Sequence, residues 1–388
     1  MFISAIAIAL LVCSALSVLA QSTAPAQEHS YLYVGNTNAN TVTVIDLNNE
    51  SVATAINVGS KIIDIAADPA GKYVYVACES GVKIIDTATD NVQSTGLDAN
   101  PSAIVASPDG SGYFVLYGTS IDIVRAGTGD VVSKLTPNSN KDVMAISPDG
   151  SKLCLGSTVY ELVTLYDIAQ NKPYAPETDF GTSNAMAYAP DNTYVYISMK
   201  SGIVTSLKVD TGLIKQDISI GAEPQGLAVN PNSSTVYVAV PSKNNVVVIN
   251  TSSKTIAGSI PVGGSPQWVI FSKDGKRAYV SNAKDNSISV IDSSGLPGSI
   301  GTVLKTISAG AGPSKMAIAA GPSIAATPTA VPPTVTPTAL PPTSTPTAVP
   351  TPTSTPAATA APTPGAGVLA VIACFGAMGI IAKGKTRR

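Results

Sequence analysis

Apolar and polar positions alternate in short bursts along most of this chain. The stretch RAYVSNAKDNSISVID (Arg277–Asp292) shows the unit: an apolar strand, a polar turn and a second apolar strand closing on aspartate. A tight-turn tetrapeptide precedes it, SKDG at Ser272–Gly275. The same marker recurs as DPAG (Asp68–Gly71), SPDG (Ser107–Gly110 and Ser147–Gly150), APDN (Ala189–Asn192) and NPNS (Asn230–Ser233), in steps of 39 to 42 residues. After each turn comes a strand-like run such as YVYVA (73–77) or YVYIS (194–198), and seven such runs lie between Tyr31 and Asn282. Each unit has room for four strands of about five residues joined by short turns, an antiparallel meander.

A four-stranded unit repeated at this period predicts an all-β protein, a seven-bladed β-propeller of four-stranded antiparallel blades. A stacked solenoid is the alternative, but solenoid repeats are usually shorter. The body starts with a strand of the post-turn kind (Tyr31–Gly35) and ends with one of the pre-turn kind (Lys315–Ala319). The last strand is therefore expected to complete the first blade as its innermost strand and to close the ring.

The motifs YVSNAKDNSISVID, VYVAVPSKNNVVVIN and YLYVGNTNANTVTVID resemble the YVTN β-propeller repeat family. The resemblance runs over residues 31–321 and weakens around residues 112–193. It implies a propeller fold and, through family members that are archaeal surface-layer and cell-surface proteins, a role at the cell surface. More distant relatives include periplasmic propellers, lactonase-like enzymes and d1-haem-binding propellers, so a shared scaffold leaves function open.

The two ends change the picture from fold to location. Residues 1–20 are apolar and end in Val18-Leu19-Ala20, which reads as a signal peptide, although no Lys or Arg precedes the apolar run. An uncleaved N-terminal anchor is the alternative. Residues 21–30 form a leader segment, 31–321 the propeller, and 322–364 a stalk rich in Pro and Thr. Proline at that density favours extended polyproline geometry, about 3.1 Å per residue and so on the order of 100 Å in all. Gly365–Ala382 is uncharged and mostly apolar, an expected helix that either spans a membrane or serves as a cleaved sorting signal. The basic tail 383–388 places the preceding residues outside the cell.

Composition excludes more than it selects. Charged residues are 12% of the chain and the formal charge is -2, which leaves no polycationic surface for nucleic acid. The single histidine, His29, precedes the first repeat, so histidine-based catalysis or haem ligation within the body is not expected. No GxSxG, CxxC or EF-hand spacing occurs, and no motif calls for a cofactor or metal. Cys78 and Cys154 lie in strands of different repeats, and two buried free thiols are expected there rather than a disulfide. Asn-rich turns such as NTNAN read as turn chemistry before calcium ligands, and the strand-ending aspartates as caps for the following turn.

Candidate ligand contacts come from the loops that enter the innermost strands, which ring one end of a propeller's channel. They are Lys61, Ser102, Lys141, Asp142, Asn184, Gln225, Gln267, Trp268 and Ser314. Trp268 either stacks on a sugar ring or plugs the channel. A carboxylate-and-lysine site from Lys141, Asp142 and Lys61 is the one arrangement that suits a lactonase-like enzyme. Asn49, Asn232 and Asn250 stand in Asn-x-Ser/Thr sequons at turns, candidate glycosylation sites. The expectation is a surface-displayed structural, adhesion or binding module. Its partners would be envelope proteins or glycans, with the membrane reached through the C-terminal anchor and self-association in a surface array.

Overall fold

The tight-turn tetrapeptides close the first hairpin of six of the seven blades, and their chemistry explains why they recur. In SPDG the Ser107 carbonyl accepts the Gly110 amide at 3.0 Å, and Gly110 takes φ +74°, a left-handed backbone that glycine adopts freely. Asp109 Oδ1 accepts the Ser111 amide (2.9 Å) and the Ser107 hydroxyl (2.6 Å). Asp149 and Asp274 repeat this arrangement, and in NPNS Asn232 Oδ1 accepts the Ser234 amide in the same way. The strand-ending aspartates work as expected at the next turn: Asp46 accepts the Asn48 amide, Asp86 the Ala88 amide and Asp292 the Ser294 amide.

The computed structural model describes residues 29–321, apart from 176–177, 180 and 296–299. The signal-peptide, leader (to residue 28), stalk and C-terminal helix expectations lie outside the described residues. The strands form seven antiparallel sheets, arranged as the blades of a propeller, and in blades two to seven the chain runs from inner strand to outer, while blade one takes its inner strand from Pro313–Gly321. The inner strands are Pro313–Gly321 (blade one), Ile62–Ala67, Ala103–Ala106, Val143–Ile146, Ser183–Tyr188, Leu227–Val229 and Pro266–Phe271 (blade seven). In blade four the outer strand is broken into Lys172–Pro173 and Thr178–Asp179, within the stretch where the repeat motif is weakest. Proline belongs on such an edge because it has no amide to give a ladder.

There is no single core. Seven apolar clusters each fill the seam between two adjacent blades. The second strand of a blade is therefore buried on both faces, as in Thr235–Val240, while an outer strand such as Thr302–Ser308 is almost wholly exposed. In six blades one aromatic recurs at a matching place in the second strand and reaches into the next blade: Tyr33, Tyr75, Phe114, Tyr196, Tyr237 and Tyr279. Blade four has Cys154 there, and Tyr174 and Tyr188 fill that seam instead. Cys154 and Cys78 are buried free thiols. Burial pushes Cys78 up to about 11 and Cys154 well above the usual thiol range, so neither is a ready thiolate.

The ring closes as expected and by a longer strand. Pro313–Gly321 pairs antiparallel with His29–Asn36, from His29 opposite Gly321 to Asn36 opposite Pro313. His29 thus begins a strand rather than lying in a leading segment. Its ring stacks on Tyr31 and its Nε2 stands 3.7 Å from Asp46. The closing seam gains a latch from Glu50, whose carboxylate meets Arg277 at 3.8 Å and Lys305 at 3.2 Å.

Two outcomes follow for stability. A chain ending at residue 312 loses Met316, Ala317 and Ala319 from the two seams flanking blade one. It should fail to show a cooperative thermal transition, whereas a chain ending at residue 321 should melt as the full chain does. Equal melting of the two would refute the clasp. Hydrogen bonds from Ser107 and Ser111 hold Asp109 down at about 2. A carboxyl depressed in the folded state stabilises fully above its ordinary value of 3.8 and loses that contribution as pH falls through about 2. Melting temperature should thus drop between about pH 4 and 2, and less steeply in Asp109→Asn, since Asn232 shows that an amide fills the same turn.

Candidate functional site

The channel mouth is built from irregularities in the inner strands. In blades one, two, five and seven the register slips by one residue where the inner strand begins: opposite Gly35, and between Ile62 and Asp64, Ser183 and Ala185, Pro266 and Trp268. Such bulges re-aim side chains. They bring Trp268, Lys315 and Asp64 from three consecutive blades together. The Lys315 ammonium lies 3.5 Å from the Trp268 ring centroid and 3.8 Å from Asp64 Oδ1. Asp64 is fixed in turn, for its Oδ2 accepts the Ile104 amide of blade three at 3.1 Å and its Oδ1 the Ile65 amide at 3.0 Å.

The far side of the mouth is polar and also fixed. Asp142 accepts the Thr158 amide at 2.7 Å through one oxygen and the Thr158 hydroxyl through the other. Asn184 Nδ2 donates to the Pro224 carbonyl at 2.8 Å and to Glu223 at 3.0 Å, tying blade five to blade six. Below the mouth the wall turns apolar. The whole encloses a cavity of about 550 Å³, a size that suits a small molecule or the end of a larger one.

Four of the nine expected contacts line this cavity: Ser102, Asp142, Asn184 and Trp268. The other five are placed elsewhere. Lys61 precedes the strand by one residue and is exposed, paired with Glu79 at 3.2 Å. Ile62 occupies the place that Pro266 holds in blade seven. Lys141 is buried between blades three and four and donates to the Leu162 carbonyl at 2.9 Å. That separates it from the cavity that Asp142 lines, and with Lys61 also outside, the carboxylate-and-lysine arrangement does not assemble. Gln225 turns to Glu223, and Gln267 folds back onto Ser265. The Ser314 carbonyl accepts the Ser281 hydroxyl at 2.7 Å. Sequence reasoning missed Lys315, Asp64 and Thr158. The signal for Lys315 was its match to Trp268, the third residue of PSK against PQW.

Trp268 is held rather than presented. Its ring lies against Gly226, where a Cβ would sit 2.3 Å from Cε3, and Lys315 covers one face. Asn36 and Asn282 of the Asn-rich turns spend their amide groups on Thr43 and Ser289 inside their own hairpins. The sequon residues Asn49 and Asn232 are exposed and Asn250 half-buried. All three lie at turns on the face opposite the mouth, because both the first and the third turn of a blade sit at that end.

No family model matches the chain. Antigen Lp49 of Leptospira interrogans serovar copenhageni is 22% identical over 240 residues, covering 55% of this chain and 53% of that protein. The chain thus spans about half the length of the curated relative it matches. Among solved structures it is similar to the hydrazine synthase of Kuenenia stuttgartiensis, with a TM-score of 0.63 and 20% identity over 68% of this chain and 92% of that one. At that identity the likeness is one of fold, and the fold is the propeller.

Proposed function

We propose that this chain is a propeller displayed at the cell surface, whose channel mouth contacts proteins or glycans of the envelope. One observation carries the reading. His29 and Gly321 pair at the end of blade one's strands that is remote from the mouth, so the chain enters and leaves the body on the face opposite Lys315, Trp268 and Asp142. The apolar residues 1–20, the Pro/Thr-rich 322–364 and the apolar 365–382 supply export, spacing and anchorage in this reading. The motif resemblance to cell-surface propellers agrees with it, as does a relative named as an antigen.

We read binding rather than turnover because the carboxylates of the mouth are engaged as acceptors. Asp64 and Asp142 each accept two hydrogen bonds that fix the wall of the site, an arrangement that suits recognition more than proton transfer. A membrane-impermeant amine reagent applied to intact cells tests the topology. Lys61 and Lys284, exposed at the mouth end, should be labelled without lysis and found by mass spectrometry of the protein. Labelling only after lysis would sink the surface reading.

A further inference from the structure

The chemistry of the cavity narrows its ligand, on the footing of the contact role just proposed. Lys315 is the only cation among the lining residues. Its three N–H donors meet no hydrogen-bond acceptor among the described residues, for Asp64 stands at 3.8 Å and the indole takes the charge through its face. A partly buried ammonium so placed calls for an oxygen atom. A full anion is the wrong source, since two carboxylates, Asp64 and Asp142, already share the cavity with that one ammonium. A carbonyl or hydroxyl oxygen meets the need without added charge.

The rest of the wall points the same way. Asp142 and Asn184 are held rigidly by their neighbours, and each keeps acceptor capacity for an incoming O–H or N–H. Below them Val105, Ile146, Ala187, Ile270 and Ile318 present an apolar wall. Inner strands of six of the seven blades line the well, so a compact end fits it better than an extended chain. A plain hexose brings hydroxyls but nothing for the apolar wall. A peptide terminus brings a full charge that one member of the Lys315–Asp64 pair opposes. We propose that the mouth takes the terminal residue of a neutral glycan carrying an acetamido group. The acetamido carbonyl accepts from Lys315, ring hydroxyls donate to Asp142 and Asn184, and the acetyl methyl meets the apolar wall.

The test is calorimetric titration of the full chain with three probes: oligomers of N-acetylglucosamine, glucose oligomers of equal length, and a short leucine-terminated peptide. The acetylated oligomer should bind, and the glucose oligomer should bind at least about tenfold more weakly. Lys315→Met should weaken the acetylated probe by about tenfold or more, the loss of a hydrogen bond to a charged donor. Because Lys315 lies on the closing strand, Ser102→Leu provides a second variant, narrowing the cavity from blade three. Melting curves report whether each variant folds. Lys61→Ala, outside the cavity, should bind like the parent. Equal binding of the glucose oligomer, no binding of the acetylated probe, or indifference to both cavity variants would overturn the acetamido assignment. Binding of the peptide alone, abolished by Ser102→Leu, would overturn it while leaving a contact role for the mouth intact. Attachment to partner cells that Lys315→Met and Ser102→Leu both leave unchanged would instead overturn the contact role of the mouth itself.

Discussion

The pairing of Pro313–Gly321 with His29–Asn36 is the constraint on which the rest of the molecule depends. The apolar surface of this protein is spread over seven seams, and no seam is deep enough to be a core by itself. Each second strand needs a blade on either side to cover it. In an open array the first and last blades would each leave one such face in water. Closure removes both exposed faces at once and supplies an inner strand that blade one's own sequence lacks. A chain with mostly local hairpins thus depends on one contact between residues nearly three hundred apart in sequence, here Tyr31 with Ala319.

The repeat itself was legible because its determinants are local. A turn that needs a left-handed residue at its fourth position shows a Gly at Gly71, Gly110, Gly150 and Gly275, an Asn at Asn192 and, less legibly, a Ser at Ser233. Strand-ending aspartates mark the next turn for an equally local reason. Even the closing strand could be read, since a body that starts with one kind of strand and ends with the complementary kind implies their union. What sequence could not show is where the register slips. The bulge in blade two moves the channel-facing place to Asp64, so counting back from the apolar run landed on Lys61, which faces solvent. The inward turn of Lys141 depends on a bridge to Gly118 of the preceding blade, a contact that no local pattern records. Ser102 and Asp142 were found because position alone sufficed for them, whereas Asn184 and Trp268 reach the cavity at register slips of their own.

The tyrosines show the same division between local signal and tertiary choice. The run YVYV announces a buried strand, but only the packing shows that its second tyrosine is the wedge into the next blade. Tyr75 stacks on Tyr113 across the seam at 4.1 Å, and burial raises both hydroxyls far above any working pH. Where blade four has Cys154 at this place, the neighbouring blade supplies Tyr188 from the opposite side. The seam keeps its aromatic volume while the sequence marker disappears, which is why the repeat looks eroded there although the three inner strands of the blade pair regularly.

Closure and the candidate site are one arrangement. Lys315 belongs to the closing strand, while Trp268 and Asp64 belong to the blades on its two sides. The ammonium reaches its place only when the final strand has docked, and the cavity is complete only then. A ligand that holds Lys315 binds the closed ring and not an open one, so occupancy must favour closure by mass action. The dependence is reciprocal: whatever loosens the pairing of residues 29–36 with 313–321 also disperses the three side chains that distinguish this half of the mouth. The part of the channel best suited to recognise a ligand is therefore also the part that reports whether the propeller is shut.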